Sequence, residues 1–256
     1  MTSGIDGTSQ TPPAVGAASP RKSGIQRIVG ALFSPGETFR EIAERPDFLA
    51  PLLVIVVISI VSVMVVVPRI DFESMIREQM SQTNPDMAAE DRERAVRFGA
   101  AFTKAMFYVS PLLAPILVTI IAGILLLAFR LFGGEGNFKQ AFSVTLYSWM
   151  PMIVGGIVGT IILVGRGGSV SAEELQTLVM SNLGFLVDQK ENMVAFAFLS
   201  SIDLFTLWTL VLLIIGFAYV ARVSRAVSSA IVLSLWAILV VIKVGLAAMG
   251  AARMKG

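Results

Sequence analysis

An all-α membrane bundle with five transmembrane helices is the fold this sequence predicts, and three observations predict it. Hydrophobic residues make up 55% of the 256-residue chain and charged residues only 15%, too little polar surface to face water on all sides. Mean hydropathy is +0.78, so lipid is the solvent for most of the chain. Five stretches reach the roughly 20 apolar residues needed to cross hydrocarbon, and each is bounded by charges or turn residues.

The elements follow in order. Residues 1–24 are rich in Gly, Ser, Thr, Pro and Ala and hold almost no large apolar side chain, so burial cannot offset chain entropy and a disordered tail is expected. The first long apolar stretch begins only near Leu49, too late for the core of a cleavable signal peptide. Residues 25–48 read as amphipathic helices on the cytoplasmic membrane surface. Ile25, Ile28, Val29, Leu32 and Phe33 fall on one helical face, with Arg21, Lys22 and Arg27 at its polar end. Ser34, Pro35 and Glu37 then supply a cap, a first-turn proline and the reciprocal carboxylate of a capping box. This pair of segments is either a plain interfacial anchor or a surface for a partner.

The membrane domain is expected over 49–250, with spans at about 49–67, 107–132, 138–164, 199–220 and 227–249. Pro68 closes the first. Pro111 and Pro115 lie near the start of the second, where neighbouring helices can satisfy the freed carbonyls. Gly133 to Gly136 form a turn, and Asn137 with Gln140 can cap the third. Outside the spans, residues 68–106 predict a helix through Phe72, Met75 and Ile76, and a charged one starting at Thr83-Asn84-Pro85-Asp86. Residues 165–198 predict a helix capped at Ser171 with Glu174. The short connections hold Arg130, Lys139, Arg222 and Arg225 against one acid, Glu135, which places the amino terminus in the cytoplasm and the carboxyl terminus across the membrane.

Chemistry is constrained by what is missing. The chain has no cysteine and no histidine, which removes disulfides, thiolates, imidazole bases and most metal and haem ligand sets; no cofactor and no catalytic residue are expected. The net charge of +2 is not gathered into a basic stripe, so nucleic acid is not an expected partner. Two ionisable side chains, Asp203 and Lys243, fall well inside the expected spans at comparable depth, and intramembrane charge is a functional candidate by default. They either form an ion pair or act separately, Asp203 satisfying the first turn of its helix and Lys243 reaching the interface along its stem. Gly155, Gly156 and Gly159 include a GxxxG spacing that permits close helix approach, within the chain or between two copies. Tyr147, Trp149, Trp208, Tyr219 and Trp236 read as interface anchors and packing residues.

Several runs carry a resemblance. Phe33-Ser34-Pro35-Gly36-Glu37-Thr38-Phe39 comes first, then Gly133-Gly134 with Phe138, Tyr147-Ser148-Trp149-Met150-Pro151, Leu183-Gly184-Phe185-Leu186, and Ile202-Asp203-Leu204-Phe205-Thr206-Leu207-Trp208. In order and spacing they resemble bacterial members of the YIP family, the Ypt-interacting proteins, over roughly residues 33–240. The resemblance implies a five-helix membrane domain, a cytosolic amino terminus and no enzymatic activity. Eukaryotic members bind Rab-type GTPases in vesicle traffic. The Asp-Leu-Tyr-Gly-Pro type motif of those members is missing here, so GTPase binding has no support in these residues. The expected role is a membrane-organising or partner-binding protein of the bacterial inner membrane, with the lipid bilayer and other membrane proteins or its own copies as partners. The alternative is a small permease or channel component working through a polar site near Asp203 and Lys243.

Overall fold

The computed structural model describes residues 22–168, 170, 178–189 and 191–253. Its helices are α1 (Gly24–Phe33), α2 (Pro35–Glu44), α3 (Leu49–Val66), α4 (Phe72–Thr83), α5 (Ala89–Leu131), α6 (Phe138–Ser148), α7 (Met150–Arg166), α8 (Met193–Leu199), α9 (Leu204–Val220) and α10 (Arg225–Arg253). No strand forms among the described residues; isolated bridges pair Ile70 with Val170 and Asn182 with Asp203. Most of the expected tail, up to residue 21, and the cap expected at Ser171 lie outside the described residues.

Among the described residues four units are long and apolar enough to cross a bilayer: α3 with its closing turn to Arg69, α5, the α6–α7 pair, and α10. The apolar α9 has 17 residues, about 25 Å of helix. Their outward side chains, Leu112, Ile161, Leu239 and Val241 among them, stay exposed because lipid, not protein, is their neighbour.

Two hydrogen bonds gather one end of the bundle. Glu135 N–H donates to the Ala221 carbonyl at 2.9 Å, joining the α5–α6 and α9–α10 turns. The Gln140 side-chain amide donates to the Ala43 carbonyl at 2.7 Å and draws the end of α2 to the same place. At the opposite end Val170 N–H meets the Arg69 carbonyl at 2.8 Å, and α4 packs against the first part of α5 through the Arg77–Glu93 pair at 2.7 Å.

The core is not made by crossing helices alone. Phe39 and Ile42 of α2 are fully buried among Phe129 of α5, Val144 and Tyr147 of α6 and Phe217 of α9. Phe129 and Phe217 stack at 4.7 Å in its centre. Tyr147, read as an anchor or packing residue, is thus part of the innermost layer.

Several boundaries depart from expectation for local reasons. The third crossing is two helices, because Pro151 supplies no N–H and the chain breaks at Trp149, whose N–H falls between the Thr145 and Leu146 carbonyls. Thr83 and Asn84 end α4 instead of starting the next helix, which begins at Ala89. The helix expected from residue 199 begins at Leu204, since Ser200 closes α8 and Asp203 caps α9.

The capping box expected at Ser34 and Glu37 is not formed. Ser34 belongs to two helices at once: its N–H closes α1 on the Gly30 carbonyl at 2.7 Å, and its backbone stands at φ −139° and ψ 56°. At that angle its hydroxyl makes no cap hydrogen bond. Glu37 turns instead to Lys22 at 2.8 Å, and that hydrogen bond and charge hold its carboxyl below the usual range. Asn137 differs: at ψ 168° its side chain accepts the Gln140 N–H at 3.0 Å while Gln140 accepts the Asn137 N–H at 2.9 Å. Ser34→Ala is therefore expected to stay within about 0.5 kcal/mol of the parent, and Asn137→Ala to cost about 1 kcal/mol. Thermal unfolding in detergent compares the two directly.

Candidate functional site

The two ionisable residues expected inside the membrane come to the same end of the bundle but are not joined. Asp203 sits at the head of α9, not a turn within it. Its carboxylate accepts the Thr206 N–H at 2.9 Å and the Ser181 hydroxyl. Lys243, on α10, donates to the Ser200 hydroxyl at 2.9 Å and the Ser201 hydroxyl at 3.2 Å. No ion pair links them. Asp203 is committed to a helix end and a loop hydroxyl, and the Lys243 ammonium meets the short Ser200-Ser201 turn first. The arrangement pins α10 to the α8–α9 turn and, among the described residues, brings no other charged group to Asp203 or Lys243 for a relay. In a double-mutant cycle, Asp203→Asn and Lys243→Met are expected to be additive within about 0.5 kcal/mol; a coupling of several times that in detergent unfolding would reinstate the pair.

The glycines of α7 are divided by their neighbours. A methyl group added at Gly155 would lie 2.7 Å from the Phe205 ring of α9, and one at Gly159 would lie 3.1 Å from Val179. Gly156 faces open space. The GxxxG pair, 155 and 159, thus serves approach within the chain.

A second polar cluster lies at the other end and was not legible as one. Arg27 of α1 is fully buried, donating to Glu41 of α2 at 2.7 Å and to the Arg45 carbonyl at 3.0 Å. The helix is turned so that Arg27 and Ala31 face inward, while Ile25, Val29 and Phe33, expected on its apolar face, are more than half exposed. One available signal was size: Gly24 and Ala31 flank Arg27 by three and four residues, and small neighbours on one face permit close packing. Gly24 lies so close to Ala50 of α3 that an added methyl would meet its Cβ at 2.3 Å. The guanidinium thus joins α1 and α2, and α1 is pressed against α3.

Among the described residues no group of three or more His, Cys, Asp or Glu is placed to hold a metal ion. What the residues build is a lipid-exposed helical bundle whose buried polar groups tie helix to helix. That architecture defines a polytopic integral membrane protein. Residues 29–246 match the Yip1 domain, and the chain belongs to that family. It is similar to the membrane protein YknW of Bacillus subtilis (strain 168), with 26% identity over 219 residues, 84% of this chain and 87% of that protein. No solved structure matches.

The family match covers the runs singled out in the sequence, and several have physical reasons to be as they are. Thr38 and Phe39 enter the core, Tyr147, Ser148, Met150 and Pro151 are buried at the α6–α7 break, and Asp203 caps α9.

Proposed function

We propose that the chain is a non-enzymatic membrane-organising or partner-binding protein of the bacterial cell membrane, crossing it five times with its amino terminus in the cytoplasm. The observation that carries this reading is the α1–α2 hairpin. It is anchored through Arg27 and the α2 core residues, yet presents Ile25, Val29 and Phe33 outward as an exposed apolar stripe. A rigidly held apolar stripe suits a membrane surface or the helix of another membrane protein. The hairpin end also gathers Arg130, Lys139, Arg222 and Arg225 on short connections, which supports a cytoplasmic position.

Deleting the hairpin would remove part of the core, so the informative experiment leaves it in place. Photo-crosslinking residues at positions 25, 29 and 33, activated in native membranes, are expected to give a discrete protein or lipid adduct absent from positions on the buried face. The chain has no cysteine, so Glu44→Cys and Asp86→Cys report topology cleanly. An impermeant maleimide on intact cells should label position 86 and spare 44. Solute-specific flux in proteoliposomes of the pure protein would replace this reading with the permease alternative.

A further inference from the structure

Between α4 and the part of α5 that precedes its apolar run lies a cavity of 380 Å³ whose walls carry opposite charge: Asp71 and Glu73 on one side, Arg97 and Lys104 on the other. Arg97 and Lys104 are seven residues apart, two helical turns or about 10 Å along one face of α5. Among the described residues neither cation has an ion-pair partner, because Glu93, the nearest acid on the helix, is taken by Arg77 at 2.7 Å. Asp71 accepts the Ser74 N–H at 3.0 Å and its hydroxyl at 2.7 Å. Those bonds keep its carboxyl ionised below the usual range, and a carboxylate's remaining lone pairs are free to accept more.

The cavity's position selects the ligand. Its floor is Ile70, Phe72 and Ala100, which pack in one apolar cluster with Val67, and Phe72 meets Phe107 edge-on at 5.4 Å. Val67 follows the end of the apolar run of α3 and Phe107 opens that of α5, so the charged walls stand just beyond both apolar runs. One turn on from Lys104 along the same face, Phe107 is 38% exposed and Tyr108 45% exposed, forming an aromatic wall that leads down to the lipid-facing surface. An anion alone would meet the two carboxylates as well as the two cations. A phosphate bearing a primary ammonium satisfies both pairs, and one attached to acyl chains also uses the wall.

We propose that this cavity seats the headgroup of a zwitterionic aminophospholipid, phosphatidylethanolamine. The phosphate lies between Arg97 and Lys104 and the ammonium donates to Asp71 and Glu73. Phosphatidylglycerol brings no cation to the carboxylates, and phosphatidylcholine brings one without N–H donors. The site is at the opposite end of the bundle from α1–α2 and is independent of what binds there.

The test is native mass spectrometry of the purified full chain in detergent with phosphatidylethanolamine, phosphatidylglycerol and phosphatidylcholine of matched acyl chains. Phosphatidylethanolamine should be retained about tenfold over either competitor, the value of one charge-assisted hydrogen bond. The double variant Arg97→Gln/Lys104→Gln should lose that retention by about tenfold or more, and Glu73→Gln should bring it down toward the phosphatidylglycerol level. These side chains are exposed, and circular dichroism with monodisperse elution checks that the variants fold. Should they not, the competition on the parent chain still decides. Equal retention of phosphatidylglycerol, or adducts unchanged in the double variant, overturns the proposal. Displacement of the lipid by free phosphoethanolamine at equal concentration assigns the cavity to a soluble headgroup and overturns the lipid assignment.

Discussion

Glu41→Ala is expected to destabilise the bundle more than Arg27→Met, although the two residues form one ion pair. Arg27 has 1% of its side chain exposed and Glu41 25%, so the two deletions strand very different partners. Without Glu41 the guanidinium is left buried and uncompensated, with only the Arg45 carbonyl at 3.0 Å to answer it. Orphaning a buried charge costs about 3–5 kcal/mol. Without Arg27 the Glu41 carboxylate can turn toward water, and methionine refills much of the space with apolar surface, so the loss should be about 1–2 kcal/mol. Thermal unfolding in detergent gives both values, and limited proteolysis between α2 and α3 reports whether the hairpin has come away. The reverse order of stabilities would mean that Arg27 is hydrated and that α1 is not docked as described.

The second large effect is expected at Gly216. There α2, α6 and α9 meet so closely that an added Cβ would lie 2.4 Å from Val144 Cγ1 and 3.0 Å from Phe39 Cδ1. Both neighbours are fully buried, and neither has space to retreat. Gly216→Leu should cost about 3 kcal/mol or more by overpacking, and Gly216→Ala less. The contact is specific enough to be rescued: Val144→Ala removes the clashing methyl, so Gly216→Ala/Val144→Ala should recover most of the loss of the Gly216→Ala single variant. A double variant no better than the sum of the singles would place the glycine's importance elsewhere.

The crossing helices could be read from the sequence because the bilayer imposes a single criterion, length of uninterrupted apolarity, and α3 or α10 satisfies it without reference to any neighbour. The α1 face could not be read so simply. An apolar stripe of Ile25, Val29 and Phe33 points inward in a water-soluble protein, but beside lipid it can point outward, leaving the smaller face of Gly24 and Ala31 for protein contact. Asp203 was placed within a crossing because its neighbours Ile202, Leu204 and Phe205 are apolar, whereas the Ser181 hydroxyl that helps hold it at the helix head lies 22 residues away. Ser34 shows the same limit on a shorter scale: its type suits a cap, but the same residue also closes the helix before it. Asn137, with no preceding helix attached, formed the reciprocal bonds its spacing suggests.

α5 runs unbroken for 43 residues, about 65 Å, roughly twice the thickness of hydrocarbon. Its far tip is held, with Phe129 stacked on Phe217 and the following turn tied to Ala221, so a load on the knob that its other end forms with α4 is borne by the stretch between. Pro111 and Pro115 interrupt its ladder just below the knob, so that is where such a rod would yield first.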